Sequence, residues 1–328
     1  MSSESQIVVE PKTAVEPKIA IEPQWVQDYA DAVVGAGANA VRISGEAEGL
    51  IWTEYHSVEE LGETLRANPQ LRWVQLPFAG VDAFARVIAE ATLRNPELLF
   101  TSAKTSYKEP VAEHALALSL ALMRALPTRI KANSWGDKFA VSLYDNDVAI
   151  IGAGGIAQEL IALLRPFRTR VSVFRRATES GAVTPLEGAA QTYALDALAD
   201  QLANFSVVYI ASALTDQTAG LFDAEMLARM RADAYLVNVA RGPIVVTDAL
   251  VSALAKGTIA GAATDVTDPE PLPDGHALWS APNMIITPHT ADTPEMVVPL
   301  LAKRIRENVL AFAANSQLVG LVDAALGY

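Results

Sequence analysis

The run Val148-Ala149-Ile150-Ile151-Gly152-Ala153-Gly154-Gly155-Ile156-Ala157 restricts the fold of this chain more than any other segment. Four consecutive apolar residues suit a strand buried on both faces, which parallel sheets covered by helices require. Gly152 allows the tight turn that follows, Gly154 lets main chain come close to a ligand, and small Ala157 lets the next helix pack on the strand. A strand, a G-x-G-x-x-A turn and a helix make a unit whose free helix N–H groups hold a dinucleotide pyrophosphate. The expected contacts are Gly152, Gly154, Gly155 and Ile156. The turn alone is a weak signal, and the strand and helix on either side strengthen it.

The next apolar run, Val171-Ser172-Val173-Phe174, ends in Arg175-Arg176. An NAD-binding fold places an acidic residue there, about 20 residues past the turn, on the adenine ribose. A carboxylate would repel a 2′-phosphate, whereas two guanidiniums bind one through charge-assisted hydrogen bonds. NADP is therefore the expected cofactor, with NAD as the other choice.

Alternating short β-like and helical runs fill the remainder. Residues 19–21, 40–43, 50–52, 71–76 and 98–101 read as strands, with helices at 25–34, 58–67 and 81–91, a small βαβ series with a parallel sheet. A second series follows, with strands at 148–151, 171–174, 207–210, 235–239, 259–264 and 284–287. Between the two, residues 111–123 are apolar nearly all round, which predicts a helix buried between domains or subunits. A long amphipathic helix near 294–314 is expected to return to the first domain. The proline repeat Val9-Glu10-Pro11-Lys12, Val15-Glu16-Pro17-Lys18, Ile21-Glu22-Pro23-Gln24 reads at its start as an extension. The expected division is an N-terminal extension at 1–16, a discontinuous substrate-binding domain at 17–104 and 293–328, and a dinucleotide-binding domain at 105–292.

Composition removes several functions. Hydrophobic residues make up 51% and charged residues 19%, as in a folded protein. The net charge of −13 opposes binding to nucleic acid or to an anionic membrane surface. No apolar run approaches the roughly 18 residues of a spanning helix. Met1-Ser2-Ser3-Glu4-Ser5 carries no basic segment and no long apolar one, so a secretory signal is not expected and the cytoplasm is. Without cysteine there is no disulfide, thiolate nucleophile or thiolate-bound metal, and four scattered histidines predict no metal site.

Three residues close strand-like runs: Arg241 after Leu236-Val237-Asn238-Val239-Ala240, Glu270 after Asp265-Val266-Thr267-Asp268-Pro269, and His289 after Ile285-Ile286-Thr287-Pro288. A guanidinium offers paired donors to a carboxylate and a carbonyl, and an imidazole can deliver a proton. Hydride transfer to a 2-keto acid needs that combination beside a dinucleotide. His114, in the apolar helix, reads as a packing residue with one hydrogen bond, while His276 reads as a loop residue and His56 as near a turn.

These motifs, with Val111-Ala112-Glu113-His114-Ala115-Leu116 and Phe78-Ala79-Gly80-Val81-Asp82, resemble those of the D-isomer-specific 2-hydroxyacid dehydrogenases over nearly the whole chain. The N-terminal domain and the Gly327-Tyr328 end look most like the glyoxylate/hydroxypyruvate reductase branch. The resemblance implies an α/β fold with a Rossmann-type doubly wound domain, a smaller flavodoxin-like substrate domain and an active site in the cleft between them. It implies that Arg241, Glu270 and His289 are catalytic, with Arg241 on the substrate carboxylate and keto oxygen, His289 as proton donor or acceptor, and Glu270 on the other imidazole nitrogen. By the same resemblance Asp265 orients the nicotinamide carboxamide, Ala240 lies at the cofactor, and the backbone of Ala79 and Gly80 holds the substrate carboxylate. A homodimer is implied too, and the apolar 111–123 helix gives it a physical motive. Ala213, Thr267 and Asp292 depart from the family's usual proline, aromatic and glycine. The expected activity is reduction of a small 2-keto acid such as glyoxylate or hydroxypyruvate. A dinucleotide-sensing corepressor on the same fold is the alternative from another class. Sister enzymes acting on formate, phosphite or phosphoglycerate are the third reading.

Overall fold

The computed structural model describes residues 16–54, 57–178 and 180–323. The expected extension before Glu16, His56 and the Gly327-Tyr328 end lie outside the described residues. The chain divides into two units, one up to Ala103 and again from Val298, the other Lys104–Val297.

The first unit holds β1 (Lys18–Glu22), α1 (Gln27–Gly35), β2 (Asn39–Val41), β3 (Gly49–Trp52), α2 (Val58–Ala67), β4 (Trp73–Gln75), α3 (Ala85–Arg94) and β5 (Leu99–Thr101). Its strands pair in parallel in the order β2-β1-β3-β4-β5, the flavodoxin-like doubly wound order. Ala20, Leu50, Trp52 and Val74 from the strands meet Leu61, Phe84, Val87 and Ile88 in one buried cluster. The helix expected at 81–91 is instead a short 3₁₀ turn, Asp82–Phe84, followed by α3.

The second unit contains α4 (Lys108–Met123), α5 (Leu126–Ile130), β6 (Asp147–Ile151), α6 (Gly155–Leu164), β7 (Arg170–Arg175), β8 (Gln191–Ala194), α7 (Leu198–Gln201) and β9 (Val207–Ile210). It continues with α8 (Ala224–Ala228), β10 (Tyr235–Asn238), α9 (Thr247–Lys256), β11 (Gly261–Thr264) and β12 (Met284–Ile286). All seven strands are parallel, in the order β8-β7-β6-β9-β10-β11-β12. This is the Rossmann arrangement with one strand added beyond the usual six. β6 and β9 are buried along their whole length apart from Asp147, which explains their unbroken apolar runs. Sequence patterning did not reveal β8. It is a partly exposed edge strand, Gln-Thr-Tyr-Ala, whose main fixed point is Tyr193 stacked 5.2 Å from Phe174.

The last helix, α10 (Pro294–Ala313), buries Leu301, Arg304, Ile305, Asn308, Val309 and Phe312, a spacing that keeps one stripe inward. The chain after it reaches β5, where Val322 N donates to Phe100 O at 2.9 Å and Ser102 N donates to Gly320 O at 2.8 Å. Asn308 is fully buried and links three elements. Its Nδ2 donates to Gln75 Oε1 and to Val319 O, both at 3.0 Å, and its Oδ1 accepts from Val319 N at 2.8 Å. Thr101 Oγ1 donates to the same Gln75 oxygen at 2.8 Å and accepts from Trp73 Nε1 at 2.9 Å. Asn308→Ala leaves buried donors and acceptors unmatched, so it is expected to cost about 2–4 kcal/mol of stability. Guanidinium unfolding reads this directly, and a loss below about 0.5 kcal/mol would contradict the role given to the network.

Candidate active site

In the second sheet strand order reverses between β6 and β9, and ligands bind such sheets past the carboxyl ends of the strands at that point. Gly152 occupies it with φ 115°. A Cβ there would stand 2.4 Å from Ala211 O at the end of β9, so only glycine fits. Beside Gly154 there is open space, and it caps α6 without a side-chain hydrogen bond, which leaves the first-turn N–H groups for a ligand. Gly155 is small for another reason. A Cβ there would press on Thr105 and Lys108, 3.2–3.4 Å away, and Lys108 Nζ is tied to Glu159 Oε2 at 2.9 Å. Ile156 is half-buried and Ala157 fully buried under the helix.

Two buried hydroxyls, Ser106 Oγ and Ser212 Oγ, have no hydrogen-bond partner among the described residues. Ser106 follows Thr105, which packs on Gly155, and the Ser212 Cα lies 3.0 Å from where a Gly152 Cβ would be. Orphaned donors flanking an open glycine turn fit a phosphate-bearing cofactor. Arg175, at the end of β7, donates through Nη1 to Thr184 O at 3.2 Å, and Arg176 beside it is exposed.

The expected catalytic residues come from three neighbouring strand ends. After β10, Asn238 shapes the turn: its Oδ1 accepts from Ala240 N and its Nδ2 donates to Arg241 O, each at 3.0 Å. Ala240 is buried, while Arg241 is extended and half-buried with Nη1 on Ala240 O at 2.7 Å. Gly242 then runs against the backbone after β11, where an added Cβ would lie 2.0 Å from Thr267 O. Glu270 Oε2 accepts from Thr267 N at 3.1 Å, and Glu270 Oε1 lies 2.7 Å from His289 Nδ1. A carboxylate only accepts, so Nδ1 is the donor and Nε2 is the nitrogen directed elsewhere. Both side chains keep 41–45% exposure. His289 has φ 52°, and its N–H is held by Asp265 O at 2.8 Å.

Asp292 belongs to the same group. Burial pushes its carboxyl above the ordinary value; His289 pulls it down, Asp265 pushes it up and Arg241 pulls it down. The sequence marked Asp292 only as a departure from glycine, and it gave no role to Asn238, although an Asn that hydrogen-bonds its own turn is a recognisable local signal. Ala79 and Gly80 lie in the first unit on the loop leaving β4, the former exposed and the latter half-buried. His276 caps the 3₁₀ turn Ala277–Ser280, its Nδ1 accepting from Leu278 N at 3.2 Å.

A doubly wound parallel sheet with a glycine turn at its switch point and an imidazole–carboxylate pair beyond its strand ends defines a dinucleotide-binding oxidoreductase. The family model for D-isomer specific 2-hydroxyacid dehydrogenase, NAD binding domain, matches residues 115–291. An uncharacterised protein of Corynebacterium melassecola is 40% identical over 264 residues, 79% of this chain and 84% of that one. A glyoxylate reductase/hydroxypyruvate reductase of Mus musculus is 29% identical over 308 residues, 92% of this chain and 85% of its own. A D-isomer specific 2-hydroxyacid dehydrogenase from Xanthobacter autotrophicus, solved with NADPH and MES, superposes with a TM-score of 0.79 at 27% identity, covering 95% of this chain and all of that one. This chain belongs to the D-isomer specific 2-hydroxyacid dehydrogenase family. It is a 2-hydroxyacid oxidoreductase that works with a nicotinamide dinucleotide.

Proposed function

We propose that this enzyme reduces a small 2-keto acid of the glyoxylate or hydroxypyruvate type to its D-2-hydroxy acid, with NADPH preferred over NADH. The observation that carries this reading is the His289 Nδ1–Glu270 Oε1 bond of 2.7 Å, which reserves Nε2 for the substrate. When bound, the reduced nicotinamide supplies a hydride to the keto carbon. His289 Nε2 gives its proton to the keto oxygen as the C–H bond forms, and takes it back in the reverse reaction. Glu270 accepts from Nδ1–H throughout and so holds the ring's orientation, while Nε2 is protonated before the transfer and bare after it. Arg241 binds the carboxylate and draws charge toward the keto oxygen, and main-chain N–H groups of Ala79 and Gly80 are proposed to hold the same carboxylate. Gly152, Gly154 and the first turn of α6, including Ile156, would carry the pyrophosphate, with Ala240 near the nicotinamide.

The guanidinium pair Arg175-Arg176 motivates the NADPH preference. Oxidation followed at 340 nm with glyoxylate and hydroxypyruvate is expected to favour NADPH. Replacing both arginines by alanine should raise KM for NADPH about 10–100-fold and leave NADH nearly unchanged, since each lost charge-assisted bond is worth about 1.5–3 kcal/mol. Equal rates with both nucleotides in the parent enzyme would refute the preference. No oxidation across a panel of keto acids would remove the substrate assignment.

A homodimer is also proposed. α4 buries Val111, Ala112, Ala115, Leu118 and Leu122 but leaves Leu116, Leu120 and Ala121 half-covered. The chain after it exposes Leu126, Ile130, Trp135, Phe139 and Val141. So many exposed apolar side chains in one stretch of chain suit an interface. Light scattering should give twice the 34.9 kDa chain mass, and the single-chain mass at micromolar concentration would count against it.

A further inference from the structure

One polar cluster joins buried Asp265 to two half-buried residues, His114 and Thr287, that have no part in the chemistry described above. His114 Nε2, on α4, lies 2.9 Å from Thr287 Oγ1 and 3.4 Å from Asp265 Oδ1. Thr287 Oγ1 is 2.6 Å from the same Asp265 oxygen. A hydroxyl carries one hydrogen and a carboxylate can only accept, so Thr287 donates to Asp265 and accepts from His114. A hydrogen on His114 is thereby placed on Nε2.

Asp265 is almost fully buried. Burial alone would raise its carboxyl, but hydrogen bonds from His114 and Thr287 and from the main-chain N–H groups of Thr290 and Ala291 hold it below the ordinary value. Thr290 N donates to Oδ1 at 2.9 Å and Ala291 N to Oδ2 at 3.0 Å, while His289 N donates to Asp265 O at 2.8 Å. The carboxylate grips the chain on both sides of His289. That grip has a use, because His289 sits in the left-handed region, which a residue with a Cβ keeps only when its surroundings impose it.

We propose that His114 is a positioning residue for His289. Its donor hydrogen fixes the Thr287–Asp265 bond, Asp265 fixes segment 287–291, and the segment presents the His289 ring to Glu270. α4, packed along β10, β11 and β12, is the stationary anchor. The inference rests on His289 as the proton donor, and it makes bracing of that donor, with or without a cofactor contact, the work of the Asp265 side chain.

The test compares His114→Leu, which removes the donor, with His114→Gln, whose amide offers one at similar reach. His114→Leu is expected to lower kcat about 10–100-fold, because a displacement near 1 Å at a reacting group costs about that much. The dissociation constant for NADPH, read by nucleotide fluorescence, should change by less than about threefold. His114→Gln should recover most of the rate, and Thr287→Val should reproduce the loss from the other end of the bond while removing only one hydroxyl. Placed in a His289→Ala background, His114→Leu should cost nothing further. Full kcat in both His114→Leu and Thr287→Val, equal losses in Leu and Gln, or a further loss on top of His289→Ala would each overturn the proposal. Full turnover in His289→Ala alone would instead overturn the reading of the site on which it rests.

Discussion

His289→Ala is expected to lower kcat about 10²–10⁴-fold while the dissociation constant for NADPH stays within about threefold of the parent. The residue is oriented by its main-chain N–H, which donates to Asp265 O, and by its ring Nδ1, which donates to Glu270 Oε1. Truncation removes the second and with it the proposed proton source at Nε2. The glycine turn is built by β6, α6 and the loop after β9, so the dinucleotide site is unaffected. Glu270→Gln should fall in the same direction but less far, since an amide can still hold the ring. Its Oε2 partner, Thr267 N, also survives that change if the amide oxygen faces it. Rapid-mixing kinetics separate binding from turnover. A His289→Ala enzyme that no longer binds NADPH would remove the assignment, and so would one that turns over at the parental rate.

Gly242→Ala is expected to be as damaging by a wholly different route. An added Cβ would stand 2.0 Å from Thr267 O and 2.1 Å from its carbonyl carbon, atoms of rigid backbone. Relief needs a separation of more than about 1 Å between the turn carrying Arg241 and the turn leading to Glu270. Overpacking of that kind costs about 1–3 kcal/mol or more. The displacement of Arg241 relative to His289 should lower kcat/KM about 100-fold. Gly154→Ala makes the control, because a Cβ there meets open space. It should leave the melting temperature unchanged and weaken dinucleotide binding alone. Parental stability and activity in Gly242→Ala would show that the two turns are not held in register by that contact.

Much of this was legible from local pattern. β6, β9 and β10 announced themselves as apolar runs because both of their faces are covered, and the switch-point turn needed its glycines for reasons that two or three residues contain. Arg241, Glu270 and His289 could be picked out because each ends such a run, where a parallel sheet puts its chemistry. β8 was not legible, since an edge strand with polar, half-exposed residues carries no periodic signal. The same holds for polar networks closed by long-range contact. Asn308 reaches Gln75 across 233 positions, and His114 reaches Thr287 across 173. Read along the chain, His114 is one polar residue on an apolar helix. What the sequence determined by itself was the covered strands, the cofactor turn and the three residues at the strand ends, because each follows from burial or backbone geometry within a few residues. Only the tertiary structure decided that Asp265 clamps the segment holding His289, that Gly242 touches Thr267 and that Asp292 joins the charged group. Those facts depend on which strand ends the sheet order makes neighbours, and hydrogen bonds and steric contacts act through space over only a few ångströms.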